Sequence, residues 1–185
     1  MEVTTVHNQI DHILLTEEQI SNRVKELAVQ LSCDYAGKNP IFVGVLKGVV
    51  LFFSDVVRNF TEPCQIDFLS ISSYEGCNST GNVKMLQGLS QDITGRHIVI
   101  LEDIFDTGRS LSFTYDYLKT LGAASVEVCT FLDKPERRMP GVTLKPKYVG
   151  YVIPNEFVVG YGLDYNEYFR NLPYIGVLKP EVYQN

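Results

Sequence analysis

The chain has 185 residues, 45% of them hydrophobic, which is enough to bury one sizeable core and too short to demand a second domain. Lys and Arg number 16 against 22 Asp and Glu, a net charge of -6, so no general attraction draws the chain to nucleic acid and a polyanionic small ligand must be held by local devices. Cys33, Cys64, Cys77 and Cys129 are scattered without a C-x-x-C pair, no export-type leader opens the chain and no apolar run reaches spanning length, so reduced thiols in a cytoplasmic protein are expected, with neither membrane nor nucleic acid as partner.

Thr16 and Gln19 form a capping-box pattern, and Ile20, Val24, Leu27 and Leu31 then recur at helical spacing until Gly37 and Pro40 end the run. Residues 41–46 are almost wholly apolar, as suits a strand covered on both faces. Gly48 follows, residues 49–60 return to a helical pattern, and 66–71 read as the next strand. Ser, Gly and Asn dominate 72–82, which predicts a mobile loop, about 72–86, long enough to act as a lid. Residues 97–101 and 126–132 are two further buried strands, with a helix between them marked by Leu111, Tyr115, Leu118 and Leu121 and stopped by Gly122. After a stretch punctuated by Pro, Gly and Lys, short strand-like runs fall at 148–153, 157–161 and 174–178.

Strands alternating with helices predict an α/β fold, an open twisted mainly parallel sheet flanked by helices, in a single domain over 1–185. Ligands of such sheets settle beyond the carboxyl ends of the strands, so polar residues just after buried runs are where chemistry is expected.

Residues 98–112, IVILEDIFDTGRSLS, are the most informative. An apolar run leads into Glu102 and Asp103, and Asp106, Thr107, Gly108, Arg109 and Ser110 open a helix. Backbone N–H groups at a helix start, with the hydroxyls of Thr107 and Ser110, can cradle a phosphate that Gly108 lets approach closely. Adjacent carboxylates are good acceptors for vicinal sugar hydroxyls, so the segment describes a site for a phosphorylated ribose. A bare D-T-G by itself better fits a helix capped by Asp106 or Thr107 beside two solvated acids, and only the full string turns the reading toward a phosphate site.

The full string resembles the motif by which type I phosphoribosyltransferases bind phosphoribosyl pyrophosphate (PRPP), although Phe105 is bulkier than the aliphatic residue of that pattern. Further segments, in the same order along the chain, resemble the hypoxanthine-guanine branch of that family. Leu46-Lys47-Gly48 is similar to its pyrophosphate loop, and Ser73-Tyr74 to the pair that folds over bound substrates as a lid. Lys134, in Leu132-Asp133-Lys134-Pro135, matches the lysine that hydrogen-bonds the purine 6-oxo group. An ammonium donates and cannot accept, so it suits a 6-oxopurine and mismatches adenine. Residues 157–170, FVVGYGLDYNEYFR, resemble the purine-binding signature. That likeness implies Phe157 stacking on the base, Val158 and Asp164 at its edge, and Arg170 with Lys47 and Gly48 on the pyrophosphate.

The resemblance also implies the type I phosphoribosyltransferase fold with a small hood formed by the terminal segments, about 150–185 with N-terminal residues. It implies Mg2+ held by Glu102, Asp103 and Asp164, Asp106 as general base, and a homodimer or homotetramer. By periodicity alone, residues 157–159 are simply core strand, and the three histidines show no metal-ligand spacing. Two other functions fit parts of the pattern. A nucleotide-sensing RNA-binding regulator on the same fold needs a basic face, which the charge balance opposes. A receiver-like phosphotransfer domain needs acids after the first buried strand, where the chain has Leu46-Lys47-Gly48 instead.

Overall fold

The computed structural model describes residues 6–73 and 83–184. A 3-10 turn at Val6–Gln9 leads into β1 (Ile10–Leu15) and then α1 (Glu17–Asp34). The capping box is formed: Gln19 donates its N–H to the Thr16 hydroxyl (3.3 Å) and Thr16 donates its own to the Gln19 side-chain oxygen (2.8 Å). Two orphan donors are thereby satisfied, and Glu17 and Glu18 complement the positive end of the helix dipole. β2 (Ile41–Leu46), α2 (Val50–Asn59), β3 (Gln65–Ser73), β4 (Val83–Gln87) and β5 (His97–Phe105) follow. The remaining elements are α3 (Arg109–Thr120), β6 (Ser125–Asp133), β7 (Tyr148–Val152), β8 (Val158–Val159), β9 (Ile175–Leu178) and α4 (Pro180–Tyr183).

Six strands form the main sheet in the order β4-β3-β2-β5-β6-β7, parallel throughout except for the edge strand β4. Period-two alternation divides its strands between two cores. Val99 and Leu101 of β5 pack with Val24, Leu27, Phe52 and Val56 of α1 and α2, while Ile98 and Ile100 face Leu111 and Leu118 of α3. Both faces are therefore covered, which is why these strands read as unbroken apolar runs. Burial of each such side chain stabilises the fold by about 1.5–3 kcal/mol.

A second, three-stranded antiparallel sheet in the order β1-β9-β8 joins the two ends of the chain and stands beside the carboxyl ends of the main sheet as the expected hood. Besides adding β1 and α4, where no element is expected from the sequence, the structure changes three expected elements most. Residues 72, 73 and 83–86, expected within the loop, pair as an antiparallel ribbon in which Ser72 lies opposite Lys84 and Ser73 opposite Val83. The strand expected at 97–101 continues to Phe105, because β6 runs alongside it as far as Asp133. The strand expected at 157–161 is only Val158–Val159, since positive φ at Gly160 (98°) and Tyr161 (48°) turns the chain out of the ladder.

Candidate active site

Beyond the carboxyl ends of β5 and β6, under the hood, lies a cleft of about 680 Å3. Asp103 and Ile104 of β5, Asp106 of the following turn, Ser110 of α3, and Lys134 and Arg137 after β6 form one side. The hood supplies residues 155–158, Leu163 and Asp164, and the C-terminal turn supplies Tyr183.

Thr107 and Gly108 carry the chain from β5 into α3. Gly108 has φ 84°, and a Cβ there would sit 2.8 Å from Val142 Cγ1, so both the backbone conformation and the space call for glycine. Among the described residues no side-chain hydrogen bond caps α3, whose Ser110 lines the cleft, and the Arg109 N–H makes only a long contact (3.5 Å) with the Thr107 hydroxyl. Arg138 fixes this turn from below. It donates to the carbonyls of Phe105 (2.9 Å) and Asp106 (2.6 Å), pairs with Asp133, and lies 3.2 Å over the centre of the Phe105 ring. The bulk of Phe105, the one departure from the family pattern in this motif, is thus absorbed as a buried platform for a guanidinium. Asp106 itself accepts a hydrogen bond from Arg137 Nε (3.2 Å).

Glu102 and Asp103 lie inside β5. Glu102 is buried and its Oε2 has no hydrogen-bond partner among the described residues. Burial, reinforced by the neighbouring Asp103 charge, pushes its carboxyl well above the ordinary glutamate range. Burial also pushes Asp103 up to about 6, against the opposing pull of the Ile104 N–H (2.9 Å from Oδ1) and the more distant Arg170 charge. Burial thus disfavours the charged form of both acids, and the Arg170 charge only partly offsets this at Asp103.

The pyrophosphate-loop candidates approach the same acids from α2's side. The Leu46–Lys47 peptide is cis. A Cβ on Gly48 would lie 1.9 Å from Asp103 Oδ2, and one on Gly162 would lie 1.9 Å from the Gly48 carbonyl oxygen. Three segments therefore meet at van der Waals limits, with two glycines making the approach possible. Lys47 Nζ donates to Glu167 (2.8 Å) rather than reaching the cleft, and Arg170 pairs with Asp164 (2.8 Å) and Glu167 (3.2 Å) while donating to the Gly162 carbonyl (2.8 Å). Lys47, Gly48 and Arg170 thus form a charged annex joined to the cleft through Asp103 and Asp164, both of which line it.

On the base side, Lys134 is buried and donates to the Glu156 carbonyl (2.8 Å). Desolvation pulls its ammonium below the usual lysine range, and the negative charges of Asp106 and Glu156 partly restore it. Phe157 is 37% exposed at the cleft, with Tyr165 edge-on at 5.7 Å and Tyr183 stacked on it at 4.7 Å. Val158 is buried in β8, opposite Val177 of β9, and still borders the cleft.

A model of the phosphoribosyl transferase domain matches residues 12–166. The chain belongs to the phosphoribosyl transferase family. Over 97% of its length this phosphoribosyl transferase is 49% identical to a Streptococcus pneumoniae protein named hypoxanthine-guanine phosphoribosyltransferase, of which the match covers 99%. It is 46% identical over 97% of its length to the bifunctional protein TilS/HprT of Listeria innocua, but spans only 28% of that protein. Among solved structures, a Staphylococcus aureus hypoxanthine phosphoribosyltransferase superposes with a TM-score of 0.93 at 48% identity, with all of both chains covered.

Of the sequence-derived site residues, Asp103, Asp106, Ser110, Lys134, Phe157, Val158 and Asp164 meet at the one cleft. Glu102 lies just behind it, buried, and Arg109 is exposed at the start of α3. Ser73 ends β3, while Tyr74 lies outside the described residues. Among the described residues, no three His, Cys, Asp or Glu side chains gather tightly enough to hold a metal ion by themselves. The sequence reading passed over Arg137, Arg138, Glu156, Leu163 and Tyr183. The two arginines had a signal, since Lys134 opens the loop just past a buried strand and they follow within four residues. Tyr183 had none.

Proposed function

We propose that this phosphoribosyltransferase serves purine salvage, transferring the 5-phosphoribosyl group of PRPP to N9 of a 6-oxopurine, hypoxanthine or guanine, to give IMP or GMP and pyrophosphate. One observation carries the reading: the buried Lys134 ammonium and the open Phe157 ring border the same cleft as Ser110, at the uncapped start of α3. A donor-only group set beside an aromatic face suits a flat carbonyl-bearing base, and a helix start suits a phosphate.

In this reading the turn 106–110 grips the 5'-phosphate and the acids of β5 take the ribose hydroxyls. Lys134 holds the 6-oxo group, Phe157 stacks on the base, and N9 attacks C1' with inversion as the bond to pyrophosphate breaks. Asp106 takes the proton that the purine ring loses, its carboxylate held in place beforehand by Arg137. Lys47, Gly48 and Arg170 attend the leaving pyrophosphate. Ser73 and Tyr74 would shield the site from water, which otherwise competes with the purine as nucleophile.

Mg2+ fits the donors present. Glu102 has a buried oxygen without a partner among the described residues, and burial pushes both it and Asp103 toward protonation, a penalty that a bound cation would relieve. Magnesium is commonly held by one or two carboxylates together with substrate phosphates, so the absence of a three-ligand cluster among the described residues suits it. One or two of the carboxylates Glu102, Asp103 and Asp164 would hold it together with the substrate, and when bound it would neutralise charge developing on the pyrophosphate. An ultraviolet assay with PRPP, Mg2+ and each purine in turn tests the proposal. Turnover of hypoxanthine or guanine without turnover of adenine is expected, and inertness toward all 6-oxopurines would sink it.

A further inference from the structure

The chain leaving β9 is tied down on both sides before it turns into α4. Leu178 donates its N–H to the Phe157 carbonyl (2.9 Å), and Lys179 donates to the carbonyl of Gln9 (3.0 Å). That anchoring decides where Tyr183 falls. Its ring lies nearly parallel to Phe157, centroids 4.7 Å apart and planes 19° from coplanar, while Tyr165 meets the same ring edge-on at 89°. Tyr183 also borders both the main cleft and a neighbouring cavity of about 320 Å3 lined by Asp11, His12 and Pro180.

Phe157 is 37% exposed, so the core does not hold its ring rigid, and the two tyrosines are the ring partners that orient it. A phenyl ring has two stacking faces. With Tyr183 stacked on one of them, a purine would take the opposite one, whose orientation is set before the ligand arrives, which spares the ordering cost at binding.

We propose that Tyr183 is a positioning residue for the base: its ring holds Phe157 in the orientation that stacks the purine, making the C-terminal turn a wall of the base subsite. The inference rests on the reading of Phe157 as the base's platform. It extends the subsite to a segment outside the 157–170 signature and outside the residues 12–166 matched by the family model.

The test compares full-length Tyr183→Ala, Tyr183→Leu, Tyr183→Phe and Phe157→Ala proteins by steady-state kinetics and thermal melting. Loss of the stack in the Ala and Leu variants is expected to raise the hypoxanthine KM roughly 3- to 10-fold, with PRPP KM, kcat and melting temperature little changed. Leu keeps the apolar bulk, so it carries the test if Ala destabilises the terminus. Tyr183→Phe, which retains the ring, should restore the wild-type value. An unchanged hypoxanthine KM overturns the proposal, and so does a decrease, which would make Tyr183 a cover over the base's own face. An equal rise in both KM values overturns it too, as the mark of general disorder. Phe157→Ala separates the two levels: if it leaves hypoxanthine KM unchanged, the platform reading itself fails. If it raises that KM while the Tyr183 variants do not, only the role of Tyr183 fails.

Discussion

Asp106 and Lys134 stand close enough for the charge of one to act on the other, yet they sit in different surroundings. Asp106 is partly exposed at the cleft and bonded to Arg137, so replacing it removes little packing. Asp106→Asn should melt within a degree or two of the parent while turnover falls by about 10² to 10⁴, the usual worth of a positioned acid-base group. Unchanged turnover would take Asp106 out of the mechanism. Lys134 is buried and spends one of its three N–H donors on the Glu156 carbonyl, leaving donors and no acceptor for a ligand. Glutamine at that position offers both. Lys134→Gln is therefore expected to lower the hypoxanthine-to-adenine ratio of kcat/KM by at least roughly tenfold, and an unaltered ratio measured with both bases would refute its part in selectivity. Both residues were legible in the sequence because each lies in a short local string directly after an apolar run. Arg137 and Tyr183 were harder to see, since what makes them functional is a contact with Asp106 or Phe157 that only folding creates.

Elements whose signals are local were readable, and those defined by distant partners were not. α1 announced itself by cap and periodicity, and residues 41–46 by an apolar run that two-sided burial demands. β1 had no such signature: its Asp11 and His12 are exposed, and its register is set by β9 at the other end of the chain, with Ile10 opposite Leu178. β4 is an edge strand with Lys84 and Leu86 in solvent, so its sequence lacks the pattern of a covered strand and is indistinguishable from the neighbouring loop. The α1 cap permits a prediction at this scale. Thr16→Ala removes the acceptor of the Gln19 N–H and should cost about 0.5–2 kcal/mol of stability in urea unfolding, with KM values unchanged, because the cap lies outside the cleft lining. A larger loss would mean that β1 and the hood unfold with the start of α1.

At the scale of the whole molecule, the site imposes a cost that the rest of the fold offsets. Asp103 is raised to about 6 in the folded protein, above the ordinary aspartate value near 3.8, and Glu102 is raised alongside it. The folded chain thus holds protons here that the unfolded chain has released. The contribution of this pair to stability is whole below about pH 4 and is lost as pH rises through about 6. Asp34, paired with the Tyr148 hydroxyl and Lys147, and Glu167, paired with Lys47, are held below their ordinary values and act in the opposite sense, at more acidic pH. Comparing the parent with Asp103→Asn isolates the site, because those outlying carboxylates are common to both. Without ligand, the Asn variant should melt higher than the parent at pH 7.5, and the gap should shrink by roughly 2–4 °C on going to pH 5, as the parent's Asp103 takes up its proton. A gap independent of pH would show that Asp103 is not held protonated by burial. The expected pattern would mean that the fold keeps two poorly solvated acids at the carboxyl end of its central strand, at a cost in stability, where a cation and a sugar can relieve them.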